Sequence, residues 1–345
     1  MLSRQVAIEM DCGSDVYPIS ASLVHLLQQV AASGYQFITP TPVTHQRVLA
    51  QRDPSGTTLR DIFGWNLPFA PDAIAPDLLT AMNHAGILQS SGSLLRSTVR
   101  IATLDADAFL HSAYPTTQDT AVFFGPDSYR FARFIRNALQ AANWNIGTTA
   151  AGDTAPLRIL DVGCGSGVGG IVAARQFGPT GIPLVVTMND INPLALDYTS
   201  INAQVAGVPV VIAQGDALSA VEGEFDLIIS NPPFLDDAAA RTYRHGGARL
   251  GRALSVRIAE QALGRLALGA HLLLYTGVAI VEGVDPFLAE LLPLLRVADY
   301  EWSYDEIDPD IFGEELSRPI YAHADRIAAV GLIAQRKPCC SDVKL

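Results

Sequence analysis

Asn231-Pro232-Pro233-Phe234 is the most chemically specific stretch of the chain. Two consecutive prolines fix φ and remove two backbone N–H donors, so the segment offers carbonyl acceptors only. The Asn231 side chain adds an acceptor and a donor, and Phe234 adds a flat π face. Together they suit a planar substrate carrying an NH2 group. The carbonyls of Asn231 and Pro232 would take the amino hydrogens while Phe234 stacks on the plane, which turns the nitrogen lone pair toward an electrophile. A second motif, Asp161-Val162-Gly163-Cys164-Gly165-Ser166-Gly167, follows an apolar run and precedes a helical pattern. Its glycines let the backbone turn sharply and approach a ligand. With Gly169-Gly170 the spacing also admits a dinucleotide loop. The aspartate two residues before the first glycine, and the later proline pair, argue against that. Asp190 and Asp216 end two further apolar runs. A carboxylate at Asp190 can accept both hydroxyls of a ribose, or it can cap the helix that starts at Asn192-Pro193. Asp216 can accept from an adenine amino group, or serve a turn. Ile191 and Ala217 follow these two acids.

These residues need a common edge. Apolar runs at 158–162, 184–188, 208–213, 225–230 and 271–275 read as buried strands. Helices are expected at 166–177, 193–206, 248–268 and 286–295. Strands joined by helices run parallel and are covered on both faces, and open α/β sheets bind ligands at the carboxyl ends of their strands. Strands at 297–304 and 327–335 complete an α/β, Rossmann-like seven-stranded sheet with an antiparallel edge. The first hundred residues read differently. Helices at 20–32, 43–51 and 77–84 precede a hairpin at 87–104, which suggests a smaller helical, winged-helix-like α+β domain. Strand-like pieces at 108–110 and 121–124 lead to a helix capped by Asp127 or Ser128. The chain divides into an N-terminal lid or substrate-recognition domain (1–105), a connecting segment with a cofactor-covering helix (106–156), a catalytic domain (157–336) and a tail (337–345).

Composition narrows the partners. The 345 residues carry a formal charge of -12, and the only lysines are Lys337 and Lys344. An acidic chain has no general pull on a phosphate backbone, so nucleic acid is not favoured. Cys12, Cys164, Cys339 and Cys340 fit no zinc pattern, and a reduced, cytoplasmic protein is the simple reading. No signal peptide is expected at the N-terminus. The longest apolar stretch, 263–281, is interrupted by Gly264, Arg265, Gly269, His271 and Gly277, too broken for a membrane span. After Phe234 come Asp236 and Asp237 and then Arg241, Tyr243, Arg244, His245, Gly246, Gly247, Arg249 and Arg252. This cluster reads either as a clamp for a carboxylate or phosphate or as the solvated start of a helix.

With these residues the chain resembles class I S-adenosylmethionine-dependent methyltransferases, in the methyltransferase small domain group that bears an NPPF or NPPY tetrapeptide. That group includes release-factor glutamine methyltransferases and RNA N-methyltransferases acting on adenine and guanine. The resemblance covers roughly residues 123–335. It implies S-adenosyl-L-methionine as cofactor, with Gly163, Gly165 and Gly167 facing its methionine part. Asp190 would bind ribose, Asp216 would lie near adenine, and Asn231 would hold the substrate nitrogen. Phe124-Gly125-Pro126-Asp127 stands where such enzymes close over the methionine moiety. The expected activity is N-methylation of an amide or amino nitrogen in a protein side chain or an RNA base, the acidic balance leaning toward protein. The alternative is an enzyme of small-molecule metabolism, including one that cyclises the aminocarboxypropyl arm of the cofactor to azetidine-2-carboxylate with release of methylthioadenosine. The acceptor and the oligomeric state are not set by the sequence.

Overall fold

A computed structural model of the protein describes residues 19–114, 118–141, 155–237, 241, 243–296 and 299–337. Residues 142–154 of the connecting segment and most of the tail lie outside the described residues. The N-terminal part contains α1 (Ile19–Ala32), α2 (Pro42–Leu49) and α3 (Pro76–His84), then two hairpins: β1 (Leu88–Ser91) with β2 (Leu94–Ser97), and β3 (Val99–Leu104) with β4 (Asp107–Ser112). Proline opens α2 and α3, where its missing N–H costs nothing. The run expected to be one strand from 94 to 104 is broken at Ser97. The Ser97 hydroxyl donates to the Val99 carbonyl and accepts from the Val99 N–H, so the chain leaves β1 and pairs with β4 instead. Residues 121–124 form no regular strand; only Val122 pairs, with Ser112.

The second part is a doubly covered sheet. After α4 (Pro126–Ala141) come β5 (Leu157–Val162), α5 (Val168–Phe177), β6 (Leu184–Asp190), α6 (Pro193–Ala206), β7 (Val211–Gln214), β8 (Phe225–Ser230), α7 (Ala253–Leu263), β9 (Leu266–Ile280), α8 (Pro286–Leu295), β10 (Tyr300–Asp308) and β11 (Arg326–Arg336). The seven strands lie in the order β10-β11-β9-β8-β5-β6-β7. Strands β5 to β9 pair in parallel, while β11 is antiparallel to both β9 and β10. The antiparallel edge is therefore present, with the last strand inserted inside it. Helix α7 starts at Ala253 rather than 248, because Arg249, Leu250 and Gly251 all have positive φ, which no α-helix accepts. The broken apolar stretch resolves into the end of α7 and the long strand β9. Among the described residues no helix is long and apolar enough to cross a membrane.

Two cores flank the sheet, built by α4, α5 and α6 on one side and α7 and α8 on the other. A third core fills the N-terminal part, and α6 lends it Ala195, Tyr198 and Ile201. Asn202 of the same helix is fully buried. Its Oδ1 accepts from the Leu110 N–H at 2.8 Å and its Nδ2 donates to the Leu110 carbonyl at 3.1 Å, closing the free edge of β4. The same Nδ2 donates to the Ser166 carbonyl at 2.9 Å, in the loop after β5.

Candidate active site

One deep cleft opens at the carboxyl ends of β5, β6, β7 and β8. Its floor is the loop after β5. Gly163, Gly165 and Gly167 have φ of 68°, 56° and 83°, a region in which a side chain is strained. The loop is braced from behind: the Thr199 hydroxyl donates to the Gly165 carbonyl, and the Cys164 N–H donates to the Asn189 carbonyl. A Cβ added at Gly163 or Gly165 would meet no protein atom within 4 Å, so the cleft side of the loop is open to a ligand. Gly169 and Gly170 have a different role. An added Cβ would lie 2.7 Å from Asp161 Oδ2 and 2.4 Å from Met188 Cε, respectively. They let α5 press onto the strands.

Asp161 is not on the cleft wall. It is buried beneath the start of α5 and accepts from the Gly170 N–H at 2.8 Å; burial raises its carboxyl to about 7. Asp190 is on the wall. One of its oxygens accepts from the Gly165 N–H and the other from the Asn192 N–H, both at 2.9 Å. Burial raises its pKa, and those N–H groups pull it back down. The cap of α6 is Asn192, whose Oδ1 accepts from the Leu194 N–H, so Asp190 is left to the cleft. Ile191 and Ala217 also line it, Ile191 half exposed and Ala217 with φ of 48°. Asp216 reaches the wall while bound by both ends of the Arg257 guanidinium at 2.7 and 2.8 Å, which lowers its pKa.

The segment 231–234 forms the opposite wall. Asn231 Oδ1 is buried and has no partner among the described residues. Phe234 is packed so closely that a Cβ on Gly277 of β9 would fall 2.3 Å from its ring, and the Phe312 ring meets it edge-on at 5.7 Å. The chain then folds back on itself: a Cβ at Gly246 would lie 2.5 Å from the Pro233 carbonyl oxygen, and one at Gly251 would lie 2.2 Å from that of Phe234. The arginine cluster is neither a free clamp nor a helix start. Arg241 forks onto Asp237, Arg244 pairs with Glu315, and Arg249 and Arg252 share Glu290. Arg241 holds the Asp237 carboxyl down at about 2. His245 accepts from the Asp237 N–H through Nδ1.

Phe123, which the sequence reading of the site left out, shares the cleft with Asp127, Tyr243 and Arg244. Phe123 lines the cleft, whereas Phe124 turns inward against His111 and Tyr129. The Phe123 and Tyr243 rings lie nearly parallel, 6.4 Å apart. Asp127, the first acid of α4, is buried. Its Oδ1 accepts from the Tyr275 hydroxyl at 3.0 Å and from Arg130 at 3.1 Å, and burial raises its carboxyl to about 6. In the sequence Asp127 is marked as a helix cap and, through the resemblance, as part of the stretch that closes over the methionine moiety.

Residues 150–251 match the family model described as the methyltransferase small domain. The release factor glutamine methyltransferase of Deinococcus radiodurans is 34% identical over 164 residues, which is 46% of this chain and 55% of that protein. The ribosomal RNA small subunit methyltransferase C of Actinobacillus pleuropneumoniae is 34% identical over 111 residues, 30% of this chain and 32% of its own. The chain thus spans about half the length, or less, of these two relatives. A crystal structure of Trm5b from Pyrococcus abyssi superposes with a TM-score of 0.45 at 18% identity, over 72% of this chain and 62% of that one. The similarity to methyltransferases is found over the segment that supplies most of the residues lining the cleft.

Proposed function

We propose that the protein transfers a methyl group from S-adenosyl-L-methionine to a planar amide or amino nitrogen. The observation that carries this reading is Asn231 Oδ1, a buried acceptor without a partner on the cleft wall, set between a fixed proline pair and the open glycine loop. A buried acceptor left unpaired is costly, and an N–H of the acceptor group would pair it. The cleft fits the cofactor. The loop at Gly163 and Gly165 leaves room for it, Asp190 offers a carboxylate suited to ribose hydroxyls, Ile191 and Ala217 offer apolar surface, and Asp127 offers a carboxylate for an ammonium group. When bound, S-adenosyl-L-methionine supplies a methyl group already activated by a sulfonium.

The protein's own task is then positioning. Asn231 orients the nitrogen, and the Phe234 ring, pinned by Gly277 and Phe312, fixes the plane. Phe123 and Tyr243 narrow the opening and limit water. Alignment at about 3 to 3.5 Å supplies much of the rate without a strong base, and the nitrogen proton leaves after transfer. The -12 charge favours a protein side chain over an RNA base as acceptor. The test is to incubate the pure protein with S-adenosyl-L-methionine, with and without acceptors, and to identify the nucleoside formed. S-adenosylhomocysteine that appears only with an acceptor supports the proposal. Methylthioadenosine formed without any acceptor overturns it in favour of chemistry on the aminocarboxypropyl arm.

A further inference from the structure

The N-terminal core contains an arginine with no acid beside it. Arg100 on β3 is 5% exposed, and among the described residues no carboxylate pairs with it. Its Nε donates to the Gly64 carbonyl at 2.8 Å, its guanidinium lies over the Phe37 ring, and its Nη2 is buried without a partner. The groups that feel its charge are Tyr35, Tyr129, His45 and His111, none of them an anion while burial holds the phenols protonated. The surroundings are unsatisfied too. Among the described residues the buried His45 Nδ1, His111 Nε2 and Trp65 Nε1 atoms have no partner, while the Thr39 side chain meets the Tyr129 hydroxyl. His111 is the direct cross-strand neighbour of Arg100, and Trp65 packs against both Phe37 and His45. An unpaired buried cation is costly, and so is each unpaired donor. Native interiors do not gather them in one place unless something answers them.

We propose that this buried polar cluster takes up a small oxyanion, a carboxylate or phosphate group, on Arg100. The guanidinium fork matches either group, and the Trp65 N–H adds a neutral donor. Access is short. Tyr35, Phe37 and Thr39 are buried while Gln36 and Ile38 are exposed, so this segment lies between the cluster and the surface. The cluster also backs onto the cleft: His111 stacks on Phe124, next to the cleft residue Phe123. The site is independent of what the cleft catalyses.

The test titrates the full-length protein calorimetrically with sodium acetate and with sodium phosphate, against sodium chloride at matched ionic strength. Saturable binding of acetate or phosphate is expected, the tighter of the two naming the ligand class. Arg100→Met should weaken it at least about tenfold while S-adenosyl-L-methionine binding is kept. Should that variant fail to fold, Arg100→Lys retains the charge without the fork and should still weaken binding severalfold. Crystals soaked in sodium bromide should show an anomalous peak at the guanidinium. No saturable binding, equal binding by the folded variants, or only water at Arg100 would overturn the proposal.

Discussion

Asn231 and Asp190 carry separable burdens, and substitution should part them. Asn231→Ala deletes the unpaired acceptor without touching the glycine loop. Turnover is expected to fall about a hundredfold, the scale of losing one preorganised hydrogen-bonding group, with S-adenosyl-L-methionine affinity little changed. Asp190→Ala should do the reverse, weakening cofactor binding at least about tenfold, because it removes both the cleft carboxylate and the acceptor of the Gly165 N–H. Steady-state kinetics beside calorimetry separates the two. Asp127 adds a pH dependence. Burial lifts its carboxyl to about 6, so it is charged at pH 7 and mostly neutral at pH 5. Its charge favours a cationic ligand, so cofactor affinity should drop about tenfold from pH 7 to pH 5. Asp127→Asn should flatten that profile; an unchanged slope would remove Asp127 from the cofactor site.

At the scale of elements, the wall at 231–234 is held by what packs behind it. Gly277→Ala would drive a methyl into the Phe234 ring. It should cost about 1 to 3 kcal/mol of stability and lower turnover further than that loss explains, as a melting curve and an activity assay on the folded variant would show. The strands, the glycine loop and the polar strand ends were legible in the sequence because their signals are local: apolar runs, glycines, and one acid per loop. What stayed illegible depends on distant partners or on backbone geometry. Arg244 looked free because Glu315, which neutralises it, lies 71 residues away. The late start of α7 depends on positive φ at Arg249 and Leu250, which no residue type announces. Phe123 and Phe124 are chemically identical neighbours, and only the fold decides which one faces the cleft. Asp161 reads as a ligand residue from its motif, yet the backbone turns it under α5.

At the scale of the molecule, the N-terminal part and the sheet share one helix. Ala195, Tyr198 and Ile201 of α6 are buried in the N-terminal core. Each large apolar side chain so buried is worth about 1.5 to 3 kcal/mol, so a fragment beginning at residue 118 should melt at least about 10 °C below the full chain, or aggregate. A thermal melt showing the same cooperative transition in both would refute this. Asn202 gives the coupling a further meaning. Its single amide closes the edge of β4 at Leu110 and holds the Ser166 carbonyl of the glycine loop. The two halves are thus not interchangeable modules. A chimera joining this sheet to a foreign N-terminal domain would have to present an extended residue, with both peptide groups open, where Leu110 now stands. Without it, the graft would leave a buried amide searching for partners directly behind the glycine loop of the cleft.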